Sequence, residues 1–451
     1  MVDPHPGEWV KTRWRDFPAC QQPVWPDASL RAEVLGKLGR LPALVFAGES
    51  RALKHGLAEA AAGQAFVLQA GDCAEEFFRC HGPSIHDLLK VILQMSVILA
   101  YAGGKKVVKI GRIAGQYAKP RSADTEVVNG RTLPSYRGDM VNSPEPTFEA
   151  RMPDPRRMLE GYFRATATLN LVRAFTSGGY AALEQVHSWS EASRQTFPPN
   201  PKYDDLVKGI KKAIGFMAAI GIDGHSPQMN QTTLYTSHEA LLLEYEEALA
   251  RIDTTTGDWY GTSANLLWIG DRTRQPDGAH VEFLRGVHNP VGVKIGPQHN
   301  VDEIKRVAER LDPSREPGRL TLITRFGVDR IAELLPPLLR EMQREGWLVT
   351  WVCDPMHGNT FVNSQGQKTR RYEDILKEIK LFWEIHRAQG TVAGGVHLEL
   401  TGDAVTECIG GSRQLRESDL LRNYQTTCDP RLNAEQAVEL AFELSDIMQR
   451  H

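Results

Sequence analysis

The stretch VGVKIGPQHNVDEIKRVAERLDPSREPGRLTLITRFG, residues 291–327, sets two short β-branched runs, Val291–Ile295 and Leu320–Thr324, on either side of a segment with amphipathic helical spacing. Each run is apolar almost from end to end. That pattern marks a strand buried on both faces, as in a parallel sheet whose strands are joined by helices. The same unit recurs along the chain: a β-branched run, a polar or glycine-marked end, then an amphipathic helix. Further runs lie at Ala65–Ala70, Val107–Gly111, Thr232–Thr236, Asn265–Ile269, Leu348–Cys353 and Gly395–Leu400. Eight such strands predict an α/β fold, a closed (β/α)8 TIM barrel over residues 64–451.

Two regions do not fit the repeat. Residues 1–63 are rich in Pro, Trp and short helical patterns, and read as an N-terminal extension packed on the barrel. Between strands 2 and 3, Arg156–Phe175 and Tyr203–Ile220 both have helical spacing where one crossover helix would do. Extra helices at about 156–222 therefore form an insertion, either a site for an interface or regulator or simply added packing. The last helix opens at Asn433, an N-cap residue with Gln436 three positions on, and carries Val438, Ala441, Leu444 and Met448 on one face.

The chain has 451 residues, 41% hydrophobic and 24% charged, enough for a large core without staples. A net charge of −3 excludes nucleic-acid binding by bulk electrostatics, so an anionic ligand needs a focused pocket. The amino terminus lacks a signal-like apolar core. The most apolar stretch, Val91–Ala102, is interrupted by Gln94 and Ser96 and falls short of a bilayer. A cytoplasmic enzyme with no membrane partner is expected. The six cysteines form no CxxC pair, so free thiols are expected, with one or two available to a metal.

Reactive residues gather at the carboxyl ends of the expected strands, where barrels build active sites. Strand 1 ends in Asp72-Cys73 and strand 2 in Gly111-Arg112, followed by Lys119-Pro120-Arg121-Ser122. Strand 4 leads to Asp271-Arg272, and strand 5 carries Lys294. Strand 6 ends at Arg325, strand 7 at Asp354-Pro355-Met356-His357, and strand 8 at His397-Leu398-Glu399. So many cations in a slightly acidic protein call for a phosphorylated or carboxylated partner. Cys73, His357, Glu399 and Asp429 make a mixed soft and hard ligand set suited to Mn, Fe, Co or Zn, although their four separate segments form no spacing motif. His238-Glu239 begins an HExxH look-alike that fails at Leu242, and Gly103-Gly104-Lys105 lacks the preceding glycine of a P-loop. Cys20, Cys80 and Cys408 read as packed thiols.

The runs KIGRIAGQYAKPRS (109–122), GDRTRQ (270–275), GVKIGP (292–297), LITRFG (322–327), CDPMHGN (353–359) and GGVHLELTG (394–402) together resemble class II, plant-like 3-deoxy-D-arabino-heptulosonate 7-phosphate synthases. The resemblance extends from about Trp9 to the last helix. It implies condensation of phosphoenolpyruvate with erythrose 4-phosphate at a divalent metal, Mn or Co before Fe or Zn, as the first step of the shikimate pathway. It implies Cys73, His357, Glu399 and Asp429 as metal ligands, and Arg112, Arg272, Lys294 and Arg325, beside Asp271, as the phosphoenolpyruvate site. Lys119 would approach the aldehyde, and Arg121 and Ser122 would hold the sugar phosphate. Asp271 departs from the family, which often has Glu at that position.

Glu239 is the candidate for activating water. The resemblance further implies a homodimer or homotetramer, with chorismate mutase or aromatic amino acids as regulators. Cys428, next to Asp429, is placed to reach Cys73 and form a disulfide when metal is absent. Two rival readings remain, a related synthase acting on arabinose 5-phosphate and a non-catalytic regulatory paralogue. Lys119-Pro120-Arg121-Ser122 argues against the first, whose family has a longer Lys-Ala-Asn-Arg form, and the complete set of site residues argues against the second.

Overall fold

The computed structural model describes residues 9–177, 205, 208–212 and 231–449. Eight parallel strands close into a barrel: β1 (Ala65–Gly71), β2 (Lys106–Arg112), β3 (Tyr235–Glu239), β4 (Leu266–Ile269), β5 (Val291–Ile295), β6 (Leu320–Thr324), β7 (Thr350–Cys353) and β8 (Gly395–Glu399). Spatial neighbours follow chain order, and β8 closes onto β1 with Leu68 opposite Val396 and Gly71 opposite Glu399.

Two strands start two or three residues later than expected, while the others agree with expectation to within one residue at each end. β3 occupies 235–239 rather than 232–236, because pairing with β2 begins only at Ile110 and Tyr235. Thr232 instead bonds back to the Thr176 carbonyl at 3.1 Å, so its β-branched side chain has no ladder to join. Ser237, His238 and Glu239 accordingly lie within the strand, not after it. β7 starts at Thr350, two residues late, and Leu348 is exposed.

Ten helices with their ranges complete the frame used below: α1 (Ala28–Leu38), α2 (Ala47–Ala61), α3 (Gly82–Gly103), α4 (Arg156–Ser177), α5 (Leu243–Leu249), α6 (Ala279–Arg285), α7 (Val301–Leu311), α8 (Ile331–Arg344), α9 (Tyr372–Gln389) and α10 (Ala434–Gln449). α7 shows the rule for the outer ring. Ile304, Val307, Ala308 and Leu311 are buried at helical spacing, and the Asn300 side chain caps the start by accepting from Asp302 N at 2.8 Å. α10 opens with a reciprocal cap, Gln436 N to Asn433 Oδ1 at 2.9 Å and Asn433 N to Gln436 Oε1 at 3.4 Å. The apolar stretch 91–102 belongs to the longer α3, which by length and composition alone is long and apolar enough to cross a membrane. Here Leu89, Ile92, Met95 and Leu99 are fully buried, and the helix packs against α10, β1 and β2.

The extension contributes two helices. α1 lies on α4 and α5, while α2 packs on β1, β2 and β7. Leu53, Leu57 and Ala60 of α2 share one apolar cluster with Ala65, Val67, Val108, Ile110, Leu266, Ile323 and Val352. Thr350, the first residue of β7, bonds the Leu57 carbonyl at 2.9 Å. α2 therefore closes the amino-terminal end of the barrel and leaves the carboxyl end open. Gly318 permits the approach: its φ is +78°, and a Cβ there would meet the Lys54 carbonyl at 2.0 Å. Of the two inserted helical segments, α4 is the first, and Tyr203–Ile220 lies outside the described residues apart from 205 and 208–212.

Candidate active site

Every residue expected at the site lines one cavity of about 450 Å³ at the carboxyl mouth of the barrel. A larger cavity, about 600 Å³, lies between α2, α4 and the start of β2, away from these residues. The chemistry distinguishes the two, because the smaller one collects the convergent charges.

Cys73 follows β1, Glu399 ends β8 and Asp429 lies in the loop before α10. Their ligand atoms are all within 4.8 Å of one another. His357, after β7, brings Nε2 to 3.2 Å from Glu399 Oε1 and Nδ1 to 2.7 Å from Asp354 Oδ2. A carboxylate behind a ligating imidazole fixes its tautomer and aims the free nitrogen, which is the usual support of a metal-binding histidine. Lys119 Nζ lies 3.1 Å from Cys73 Sγ and 2.5 Å from Asp429 Oδ2, so a positive charge already bridges two of the donors. Lys368 Nζ reaches Asp429 Oδ1 at 2.9 Å, and Arg370 reaches Glu399 Oε2 at 2.8 Å. One thiol, one imidazole and two carboxylates that draw cations from every side fit a divalent transition metal.

Burial opposes charge on Glu399, yet His357, Arg370 and Arg112 hold its carboxyl well below the usual range. Burial likewise works against charge on Asp429, and Lys119, Arg370 and His357 together hold its carboxyl well below the usual range. The hydrogen bond with Cys428, burial and the nearby Glu399 carboxylate raise the Cys73 thiol. Both cysteines are free thiols in one small cluster with Ala74 and Tyr136. Cys20, expected to be packed, is exposed, because it sits in a turn of the extension.

The cations occupy the other half of the mouth. Arg112 is buried, donating to the Asp72 carbonyl at 2.9 Å, the Cys73 carbonyl at 3.0 Å and Glu399 at 3.1 Å. Its guanidinium stands 5.2 Å from the Trp268 ring centroid, and Lys294 Nζ stands 5.7 Å from the same ring. Trp268 thus forms a floor that supports two charges without neutralising them. Lys294 bonds Asp354 Oδ2 at 2.7 Å. Arg325 Nε makes no hydrogen bond among the described residues. Arg272 donates to Ser122 Oγ at 2.9 Å, and Arg121 pairs with Glu126.

Asp271 turns inward to the protein, taking Gly296 N at 2.8 Å and Arg274 Nε at 3.0 Å, so it braces two strand ends. Glu239, last in β3, is half-buried, and its buried Oε1 makes no hydrogen bond among the described residues. Burial raises its pKa against the pull of Lys294, Arg112, Arg272 and Arg325.

Several contributors went unassigned in the sequence. Asp354 stands in the motif CDPMHGN, but nothing local shows that it serves both His357 and Lys294. Lys368 and Arg370 come from a small hairpin after β7, where their basic run looks like any solvated turn. Trp268 reads as an ordinary strand residue.

A closed (β/α)8 barrel whose open mouth combines a candidate transition-metal centre with a bank of arginines and lysines defines an enzyme of phosphorylated, anionic substrates. The chain belongs to the class-II DAHP synthetase family, which it matches over residues 9–445. It is 49% identical over 435 residues to a phospho-2-dehydro-3-deoxyheptonate aldolase of Streptomyces coelicolor, covering 96% of each chain. It is 45% identical over 437 residues to the phospho-2-dehydro-3-deoxyheptonate aldolase AroG of Mycolicibacterium smegmatis, covering 96% of this chain and 93% of that one. Among solved structures, a truncated 3-deoxy-D-arabino-heptulosonate 7-phosphate synthase from Thermotoga maritima is matched with a TM-score of 0.34 and 13% identity, over 86% of this chain and 88% of that chain.

Proposed function

We propose that the two halves of the mouth divide one reaction between them. The chain is an enzyme of the class-II family, and its reaction condenses phosphoenolpyruvate with erythrose 4-phosphate and water, giving 3-deoxy-D-arabino-heptulosonate 7-phosphate and phosphate. This is the first step of the shikimate pathway. In our assignment Cys73, His357, Glu399 and Asp429 hold the metal, while Arg112, Arg272, Lys294 and Arg325 hold phosphoenolpyruvate. Arg121 and Ser122 hold the sugar phosphate. The observation that carries this division is the convergence of Cys73, Glu399 and Asp429 donor atoms within 4.8 Å, in the same cavity as the four cations.

The family is metal-dependent, and manganese or cobalt, with iron or zinc as alternatives, suits the mixed donor set. When bound, such an ion supplies Lewis acidity toward a carbonyl oxygen. Lys119 donates to the aldehyde oxygen as it gains charge during attack by C3 of phosphoenolpyruvate on C1 of the aldose. Trp268 and Asp354 keep Arg112 and Lys294 aligned on the phosphate and carboxylate of the enol. Water adds at C2 and phosphate leaves by C–O cleavage. Glu239, raised by burial above an ordinary carboxylate despite the cations around it, takes the proton of that water.

The proposal extends to a cytoplasmic homodimer or homotetramer, regulated on the α4 side by aromatic amino acids or chorismate mutase. The cavity of about 600 Å³ supports a site on that side: α4 lines it with Val172, Arg173 and Thr176. Cys73 and Cys428 form a disulfide once metal is lost, which free-thiol counts on metal-loaded and oxidised apo protein test. The whole reading is tested by phosphate release from phosphoenolpyruvate with erythrose 4-phosphate or arabinose 5-phosphate, with and without chelator, then with Trp, Tyr and Phe in turn. Release with the four-carbon sugar alone, lost on chelation, is expected. Preference for the five-carbon sugar contradicts the substrate assignment, and no release with either supports the non-catalytic reading.

A further inference from the structure

Arg121 is gripped from two directions, at its backbone by a residue outside the cavity lining and at its guanidinium by Glu126, which lines the cavity beside it. At its backbone, Gln21 of the N-terminal extension accepts from Arg121 N at 2.8 Å and donates to the Arg121 carbonyl at 3.1 Å. One side chain thus satisfies both peptide groups of a residue 100 positions away. Gln21 holds a left-handed backbone, φ 63°, a conformation that a non-glycine residue adopts only at some cost. The neighbouring Gln22 anchors the segment, donating to the Leu241 carbonyl at 2.7 Å and accepting from Leu243 N at 3.1 Å.

At its guanidinium, Arg121 meets Glu126 Oε2 at 2.5 Å. The other oxygen of Glu126 accepts from Tyr136 N at 3.1 Å and from the buried Arg151. Arg151 is itself fixed by the Glu145 carbonyl at 2.9 Å and the Pro144 carbonyl at 3.0 Å. Glu126 is therefore a strut between a buried, hydrogen-bonded arginine and one that lines the cavity. It leaves Arg121 with donors to spare, because a guanidinium carries five. A long side chain held in one rotamer loses less entropy on binding a phosphate than a free one.

We propose that Gln21 and Glu126 are positioning residues for the sugar phosphate, and that the N-terminal extension is thereby part of aldose recognition. The inference rests on the assignment of Arg121 to that phosphate. The proposed phosphoenolpyruvate cations Arg112, Arg272, Lys294 and Arg325 make no bond to Gln21 or Glu126 among the described residues; the link between the two groups is Arg272 to Ser122 Oγ at 2.9 Å, which neither grip touches.

The test is steady-state kinetics of the full-length, metal-loaded enzyme with each substrate varied at saturating partner. Gln21→Ala and Glu126→Gln should raise KM for erythrose 4-phosphate by about tenfold each, as expected for losing one or two hydrogen bonds. KM for phosphoenolpyruvate should stay within error. A residue that merely supported folding would lower the active fraction, and hence kcat, without separating the two KM values. Glu126→Gln leaves Arg151 buried without its counter-charge and puts folding at risk, so Gln21→Ala provides the safer arm. Arg121→Ala tells the two possible failures apart. If it raises KM for erythrose 4-phosphate while Gln21→Ala leaves that value unchanged, the positioning role is overturned and the Arg121 assignment stands. If Arg121→Ala itself leaves it unchanged, the inference falls together with the assignment beneath it.

Discussion

His357 presents Nδ1 to Asp354 Oδ2 at 2.7 Å, and the same oxygen receives Lys294 Nζ at 2.7 Å. One buried carboxylate thus orients a proposed metal ligand and a proposed phosphoenolpyruvate cation together. Burial opposes its charge, but His357 and Lys294 hold it well below the usual carboxylate range. Asp354→Asn keeps the shape and removes the charge. Metal affinity should fall about 10- to 100-fold, as for other carboxylates behind ligating histidines, and KM for phosphoenolpyruvate should rise in the same variant. Isothermal titration with Mn or Co, alongside kinetics, reads both. A loss of one without the other contradicts the shared role.

Lys119 lies between Cys73 and Asp429 with its ammonium strongly retained: burial works against the charge, but Cys428, Cys73 and Asp429 hold its pKa well above the lysine range. It is therefore a donor and not a base near neutrality. Lys119→Met should lower kcat by about 10²–10³-fold, the cost of removing one preorganised donor to a developing oxyanion. Metal content measured by elemental analysis should persist.

Glu378 on α9 accepts from Gly327 N at 2.9 Å and from Asn359 Nδ2 at 2.7 Å, tying together the loops after β6 and β7. Burial pushes its pKa up to about 8 from the ordinary 4.5. Because the folded value lies above the unfolded one, the folded state holds this proton more tightly between those limits. Its contribution to stability is complete below about 4.5 and is lost as pH rises through about 8. Relative to the wild type, Glu378→Gln should gain about 1.4 kcal/mol per pH unit across that window. Urea midpoints measured at intervals between those pH values check the slope, and parallel curves would refute it.

Leu57 on α2 is fully buried in the cluster that closes the amino-terminal end of the barrel. Leu57→Ala should destabilise by about 2–5 kcal/mol through lost burial and the cavity left behind. The site lies at the opposite mouth, so KM values measured below the unfolding transition should hold.

How far the sequence could be read depends on range. Apolar β-branched runs such as Val291–Ile295 and Leu320–Thr324 announce a strand because burial on both faces is written into consecutive side chains. Thr232–Leu234 has β-forming threonines and still lies outside the ladder, since only a partner strand decides where pairing begins. The Asn433–Gln436 cap was legible because it is local.

The proposed metal quartet was not legible from spacing, because its four residues lie on four segments, and Cys73 and Glu399 come together only when β8 closes onto β1. Asp429 illustrates the difficulty. It sits in an irregular loop organised by Glu407, which takes Thr426 N at 2.8 Å and Arg431 N at 2.8 Å, while Arg431 pairs with Asp72 at 3.0 Å. No local pattern encodes that arrangement, and the resemblance of the surrounding motifs was what singled the quartet out. The pairing of Gln21 with Arg121, a hundred residues apart, leaves no trace in the sequence, although Arg121 itself stands in a legible motif.

The assignment of Cys73, His357, Glu399 and Asp429 to one ion makes a spectroscopic prediction. It is tested most directly by loading the apo protein with Co(II) and recording its absorption during titration. A thiolate-to-cobalt charge-transfer band that saturates at one equivalent in the wild type and is absent in Cys73→Ser is the expected result. A Cys73→Ser protein that binds cobalt with the same stoichiometry and the same band would contradict the account.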